Sequence, residues 1–182
     1  MNLFKRKIEV SSVYAALLFK YVLALIFLLV TQWIFFLLNR SFFSVASFGE
    51  FLSILAGSVR YALATTTVFL LPFILLNILP FEFRGKRIYR SVSNVFYYAG
   101  SILPMAVNIG DIVYYRFTFR RMAGDIFNYL SVGGDFKELI PQFVQDFWSY
   151  VLMFIVLVVI LIWIGNKITW QKKSYQIGRA HV

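Results

Sequence analysis

The 182-residue chain is 60% hydrophobic and only 14% charged, with a mean hydropathy of +0.76. A soluble domain is nearer about 45–50% apolar, so the composition excludes a disordered chain and argues against a soluble enzyme domain. The net charge of +10 raises the question of a nucleic-acid partner, and the absence of Cys excludes disulfides, thiolate metal sites and a cysteine nucleophile.

A helix needs about 20 mostly apolar residues to cross a bilayer core. Four stretches meet this, at 21–38, 61–79, 92–112 and 147–165. The expected fold is therefore all-α: a polytopic membrane bundle of four transmembrane helices, with the membrane domain covering residues 1–170. Open strands would leave backbone groups unpaired in lipid. Lys20, at the edge of the first span, is expected to snorkel toward the headgroups. Lys5, Arg6 and Lys7 ahead of that span resemble the start of a signal peptide. No small-residue cleavage site follows, and the segment reads as an uncleaved span.

Aromatic residues make up 20% of the chain, which suits a protein held against lipid. Lys and Arg set the expected orientation. They cluster in the N-terminal tail, in the short loop carrying Arg84, Lys86, Arg87 and Arg90, and in the tail carrying Lys167, Lys172, Lys173 and Arg179. Four crossings put all three segments on one side, expected to be the cytoplasm of a plasma or inner membrane. The opposite loops mix Arg40, Arg60, Arg116, Arg120, Arg121 and Lys137 with Glu50, Asp111, Asp125, Asp135, Glu138 and Asp146. The positive charge is then mostly topology, and no nucleic-acid partner is needed to explain it.

Pro72 and Pro104 fall inside spans two and three, and each removes one helical hydrogen bond and is expected to kink its helix. Asn77 and Asn108 are expected to hydrogen-bond between helices rather than to bind a substrate. Spans two and three, joined by a short loop, are expected to be antiparallel neighbours.

The segment from Asp111 to Asp146 is the expected outer loop. Ile126, Phe127 and Leu130 share one helical face, as do Ile140, Phe143, Val144 and Phe147, so interfacial amphipathic helices are expected on either side of a Gly133-Gly134-Asp135 turn. Tyr114, Tyr115, Tyr129 and Trp148 are placed as interfacial anchors. Arg120 and Arg121 offer adjacent guanidinium forks that suit a phosphate, as on a phospholipid headgroup. Asp125, four residues after Arg121, and Asp111 are candidates to orient them. Spacing alone leaves a second reading open, in which these are ordinary interfacial charges facing anionic lipid.

No catalytic centre is visible. The chain contains no Ser/His/Asp set, no HExxH and no Gly-rich phosphate loop, and its one His, His181, is next to last. No carboxylate cluster or internal repeat supports an ion-coupled transporter. No residue is assigned to catalysis or to a metal.

The order of elements and several motifs resemble the membrane part of the lipoteichoic acid synthase family. The residues that carry the resemblance are Asn108, Asp111, Tyr114, Tyr115, Phe117 and Arg120, followed by Asp125-Ile126-Phe127 with Tyr129-Leu130, and then Gly134-Asp135-Phe136. Val59-Arg60-Tyr61 and Leu79-Pro80-Phe81 resemble a further stretch, except that Ala62 stands where that family usually has Asp. The resemblance spans roughly residues 10–170. It implies a phosphoglycerol or phosphoethanolamine transferase of the sulfatase and alkaline phosphatase superfamily, with a phospholipid as donor. It also implies five membrane helices and an extracytoplasmic catalytic domain holding a divalent metal and a Thr or Ser nucleophile.

Residues 171–182 show no burial pattern and are expected to be poorly ordered. Ile177 to Val182 match the in-frame translation of ATC-GGA-AGA-GCA-CAC-GTC, the start of a common sequencing-library adapter, so the native sequence is expected to end near Tyr175. On this reading the chain is a truncated, catalytically inert membrane anchor of a headgroup transferase of the cell envelope, without cofactors of its own. The alternative is a complete small polytopic scaffold or accessory subunit.

Overall fold

The computed structural model describes residues 8–10, 12–43, 45, 47–79, 86–121 and 145–170. Among these, the fold is helical. The order is β1 (Ile8–Val10), α1 (Val13–Leu38), a 3-10 turn (Arg40–Phe42), α2 (Phe48–Ile78), α3 (Arg87–Thr118), α4 (Trp148–Lys167) and β2 (Ile168–Trp170).

Each helix begins where local chemistry allows. The Ser12 hydroxyl accepts from the Ala15 N–H, so α1 starts at Val13, eight residues before the expected apolar run. The Ser47 hydroxyl accepts from the Glu50 N–H, a Ser-x-x-Glu start that brings α2 forward to Phe48. The expected loop between the first two spans thus shrinks to residues 39–47, and Arg60 lies inside α2 rather than in a loop. α3 runs beyond its expected limits at both ends, placing Asp111 within the helix and not at the start of the outer loop. Both α2 and α3 continue through their prolines, Pro72 and Pro104.

Contacts fix the directions. Lys20 meets Asn94 and Thr31 meets Asn108, so α1 and α3 run the same way. Asn77 meets Ser93, which makes α2 and α3 the expected antiparallel neighbours. Tyr98 of α3 reaches Asn166, so α4 also runs against α3. β1 and β2 pair in parallel, Ile8 opposite Ile168, and bring the start of α1 and the end of α4 to the same end of the bundle. This three-residue ladder is a minor addition to a bundle that is otherwise helical, as expected, among the described residues. We name that end the strand end and the other the arginine end.

Three apolar layers fill the interior from the strand end to the arginine end. They are Ala24, Leu70, Phe73 and Tyr97, then Phe27, Met105 and Leu161, then Phe35, Ile109 and Ile112. α2 and α3 approach closely at Gly100, where an added Cβ would press on the Phe69 carbonyl oxygen.

Among the described residues three helices, α1, α2 and α4, are long and apolar enough to cross a membrane. Their polarity is reversed relative to a soluble protein. Along α1 the exposed side chains include Tyr14, Leu18, Val22, Ile26 and Val30, while Lys20, Thr31, Gln32 and the following Asn39 are buried. Water would favour the opposite arrangement, whereas lipid requires this one. Burial of Lys20 corrects the snorkelling expectation. Its ammonium turns inward to the Asn94 carboxamide oxygen at 2.7 Å and sits over the rings of Tyr97 and Phe73, 5.1 and 5.9 Å from their centroids. The amphipathic loop helices, Asp125 and the C-terminal tail all lie outside the described residues.

Candidate functional site at the arginine end

The C-terminal ends of α1 and α3 are held together by polar groups. Asn39, fully buried, donates to the carbonyl oxygens of Phe35 at 3.1 Å and Ile112 at 3.3 Å. Arg116 donates to the Leu38 carbonyl at 3.3 Å. Unpaired carbonyls at helix ends need such donors, most of all away from water.

α3 ends at Phe119, a left-handed residue with φ 55 whose N–H closes on the Tyr115 carbonyl. A non-glycine residue pays for that conformation. The Thr118 hydroxyl supports the turn, lying 2.9 Å from the Tyr114 carbonyl oxygen and accepting from the Arg120 N–H at 3.3 Å. The reversal brings Arg121 back onto the helix it has just left.

Arg121 is the centre of the site. Its Nε donates to Asp111 Oδ2 at 2.9 Å and its Nη2 to Asn108 Oδ1 at 2.7 Å. Asn108 in turn donates to the Thr31 hydroxyl at 3.0 Å, which donates to the Leu28 carbonyl at 2.8 Å. The Asp111 side chain is 2% exposed and that of Arg121 38% exposed. The carboxylate is therefore the buried member, and the guanidinium is its cap. That cap is sandwiched, with its central carbon 4.7 Å from the Phe35 ring centroid and 5.7 Å from that of Tyr61.

Of the residues named from sequence, the structure brings Asp111, Arg121 and Tyr115 to one place. Tyr115 stacks on Phe43, with centroids 5.5 Å apart and planes at 13°, and meets Phe35 edge-on. Arg120 does not join Arg121 in a paired fork, because the left-handed turn leaves it exposed while Arg121 folds inward. Asp125 lies outside the described residues. Ala62, where the resembling family carries Asp, is fully buried in α2.

Arg121 and Tyr115 also line a cleft of about 410 Å³ between α1 and α2, together with Phe35, Tyr61, Gly57 and Gln32. Thr31 and Gln32 adjoin the site without belonging to any motif. The available signal was the pair of adjacent polar residues interrupting an apolar run. Among the described residues no cluster of three or more His, Asp or Glu side chains is placed to hold a metal. No family model, curated protein or solved structure matches this chain.

Proposed function

We propose that this chain is the membrane-embedded part of a phospholipid-headgroup transferase of the cell envelope, and that the arginine end receives the lipid headgroup. The observation that carries the reading is Arg121. It is a half-exposed cation held in one orientation by a buried carboxylate, at the mouth of an aromatic cleft. Two of its five N–H donors are spent on Asp111 and Asn108. The rest are available to a phosphate oxygen in a fork geometry that a flexible surface lysine does not provide.

The same reading takes α3 as a fourth crossing. Its inward face carries the polar Ser93, Ser101, Asn108 and Asp111 among the apolar Tyr97, Met105, Ile109 and Ile112, while Val92, Val95, Phe96, Leu103 and Val107 face outward. A helix with this inverted pattern is at home in lipid even though its overall composition is less apolar. Four crossings, with Lys86, Arg87, Arg90 and Lys167 toward the strand end, support the reading that both described chain ends are cytoplasmic. The chemistry of transfer, with its divalent metal and nucleophile, belongs to a catalytic domain downstream. On this reading the chain alone is expected to be inert.

Two measurements test the proposal. In the protein encoded by the uninterrupted genomic frame, Arg121→Met combined with Asp111→Leu, which removes the cation without stranding the buried carboxylate, should lower turnover of the lipid donor while leaving expression intact. Unchanged turnover would discard the headgroup role. Reading the locus beyond Lys173 tests the rest: a fifth span and a sulfatase-type domain support the transferase, while a stop codon in clean reads leaves the scaffold.

A further inference from the structure

The Lys20 ammonium is the charge that the fold leaves unbalanced. It is 9% exposed, and its described partners are the neutral Asn94 carboxamide and the rings of Tyr97 and Phe73. A cation taken out of water calls for an opposite charge nearby. Glu50, Asp111 and Asp146 belong to the arginine end and do not supply it. Lys86, Arg87, Arg90 and Lys167 share the strand end with Lys20, and Glu9, opposite Thr169 in the strand pair, is the one acidic residue of the described segments there.

A cavity of about 100 Å³ lies beside Asn94, between α2, α3 and β2, with Asn77, Arg90, Ser93, Asn94 and Thr169 in its wall. That wall is rich in donors. The Asn94 oxygen is taken by Lys20, which leaves its NH2 group to donate. The Ser93 oxygen accepts from Asn77 at 2.8 Å, which leaves the hydroxyl hydrogen of this buried residue to donate. The Arg90 guanidinium adds further donors and a second positive charge. Lys20 stands behind Asn94, so only one amide separates its charge from the cavity.

The volume is far below the roughly 300–1,000 Å³ of a site for a whole organic ligand. Its occupant is therefore a small ion or the terminal group of a larger molecule. Two cations, with no carboxylate in the wall among the described residues, call for two negative charges. Chloride or a carboxylate brings one, whereas a phosphate monoester carries about −1.5 to −2 near pH 7 and offers three strong acceptor oxygens.

We propose that the strand-end cavity binds a terminal phosphate group, held by Ser93, Asn94 and Arg90 and balanced by Lys20. The site lies at the opposite end of the bundle from Arg121 and does not depend on the headgroup role proposed there. Inorganic phosphate and the phosphomonoester headgroup of phosphatidic acid share this chemistry.

The test is calorimetric titration of the full 182-residue chain, in non-ionic detergent, with inorganic phosphate. Acetate and chloride at equal ionic strength are the comparison anions. Phosphate should bind at least about tenfold tighter than either, and Lys20→Met and Arg90→Gln should each weaken it about tenfold, the scale of one charge-assisted contact. Arg40→Gln, a cation change at the arginine end, should leave the affinity as it is. Arg90 is exposed, so Arg90→Gln keeps the comparison alive even where Lys20→Met fails to fold. Dioleoyl phosphatidic acid added to the micelles separates the sources: displacement of phosphate assigns a lipid headgroup, no displacement assigns a soluble phosphate, and either upholds the site. Phosphate binding no tighter than acetate overturns the proposal, as does unchanged affinity in the Lys20→Met and Arg90→Gln variants. So does phosphate binding that emerges only in Glu9→Gln, because the chain's own carboxylate then occupies the cavity.

Discussion

The two ends of the bundle each hold a cation against a helical, lipid-matched interior, and they accommodate it differently: Lys20 is buried, whereas Arg121 is part-exposed. At the arginine end Arg121 meets a carboxylate, Asp111, that is itself almost fully buried. At the strand end Lys20 meets a neutral carboxamide, Asn94, and the faces of Tyr97 and Phe73. The first arrangement is neutral as a pair, while the second keeps a net charge held only by dipoles and ring quadrupoles. The difference teaches that the first site depends on both of its members, because removing either strands a charge. The second should tolerate loss of the charge itself and should instead suffer when the charge stays and its support goes.

The largest expected effect breaks the arginine end. Asp111→Ala leaves Arg121 and Asn108 without their anchor and should cost about 2–3 kcal/mol, less than for a fully buried partner because Arg121 is part-exposed, read as loss of folded protein in a detergent-denaturant titration. Replacing both partners with apolar residues, as in Asp111→Leu with Arg121→Met, should recover most of that loss. If the double variant is as unstable as the sum of the two singles, the pair is not coupled.

The strand end should respond with the opposite pattern. Asn94→Leu strands the Lys20 ammonium and should cost about 2 kcal/mol, whereas Lys20→Met removes the buried charge and should be neutral or stabilising. A Lys20→Met variant as damaged as Asp111→Ala would show that the two ends are not different in kind. Between the ends, Gly100→Ala should cost about 1–3 kcal/mol, because the new methyl group must push α2 and α3 apart. In an open helix the same change would be worth roughly 1 kcal/mol in the other direction, so the sign alone tests the close approach.

The smallest effects compare the two ends through their caps. Ser12→Ala and Ser47→Ala should each cost about 1 kcal/mol, seen as a small drop in melting temperature. Equal values would show that the caps are indifferent to which end they serve.

Much of the bundle was legible before any tertiary information. The apolar runs located α1, α2 and α4 to within a few turns, and the polar residues Asn77 and Asn108 do bridge helices as their placement in apolar spans suggested. The helix starts were misplaced because hydropathy marks where lipid begins, whereas Ser12 and Ser47 mark where the backbone N–H groups find a cap. Lys20 was misread because snorkelling is the default for a lysine near a span edge, and only a facing Asn94, 74 residues away, makes the inward rotamer better. For the candidate site, Asp111 and Arg121 were both named as residues that belong together. Arg120 was grouped with Arg121 because adjacency in sequence cannot foresee a left-handed residue at Phe119. Gln32 was not singled out at all.

The amino-acid order by itself determined that this chain is built of long apolar helices suited to a bilayer. It also set the starts of α1 and α2 through the hydroxyl caps of Ser12 and Ser47. Those properties are local, because hydrophobicity and capping depend on residues within a turn or two of each other. Only the tertiary structure decided which polar groups serve one another: Arg121 with Asp111, and Lys20 with Asn94. Such pairings depend on helix direction, register and rotation, and these are fixed by packing between segments that the sequence keeps far apart.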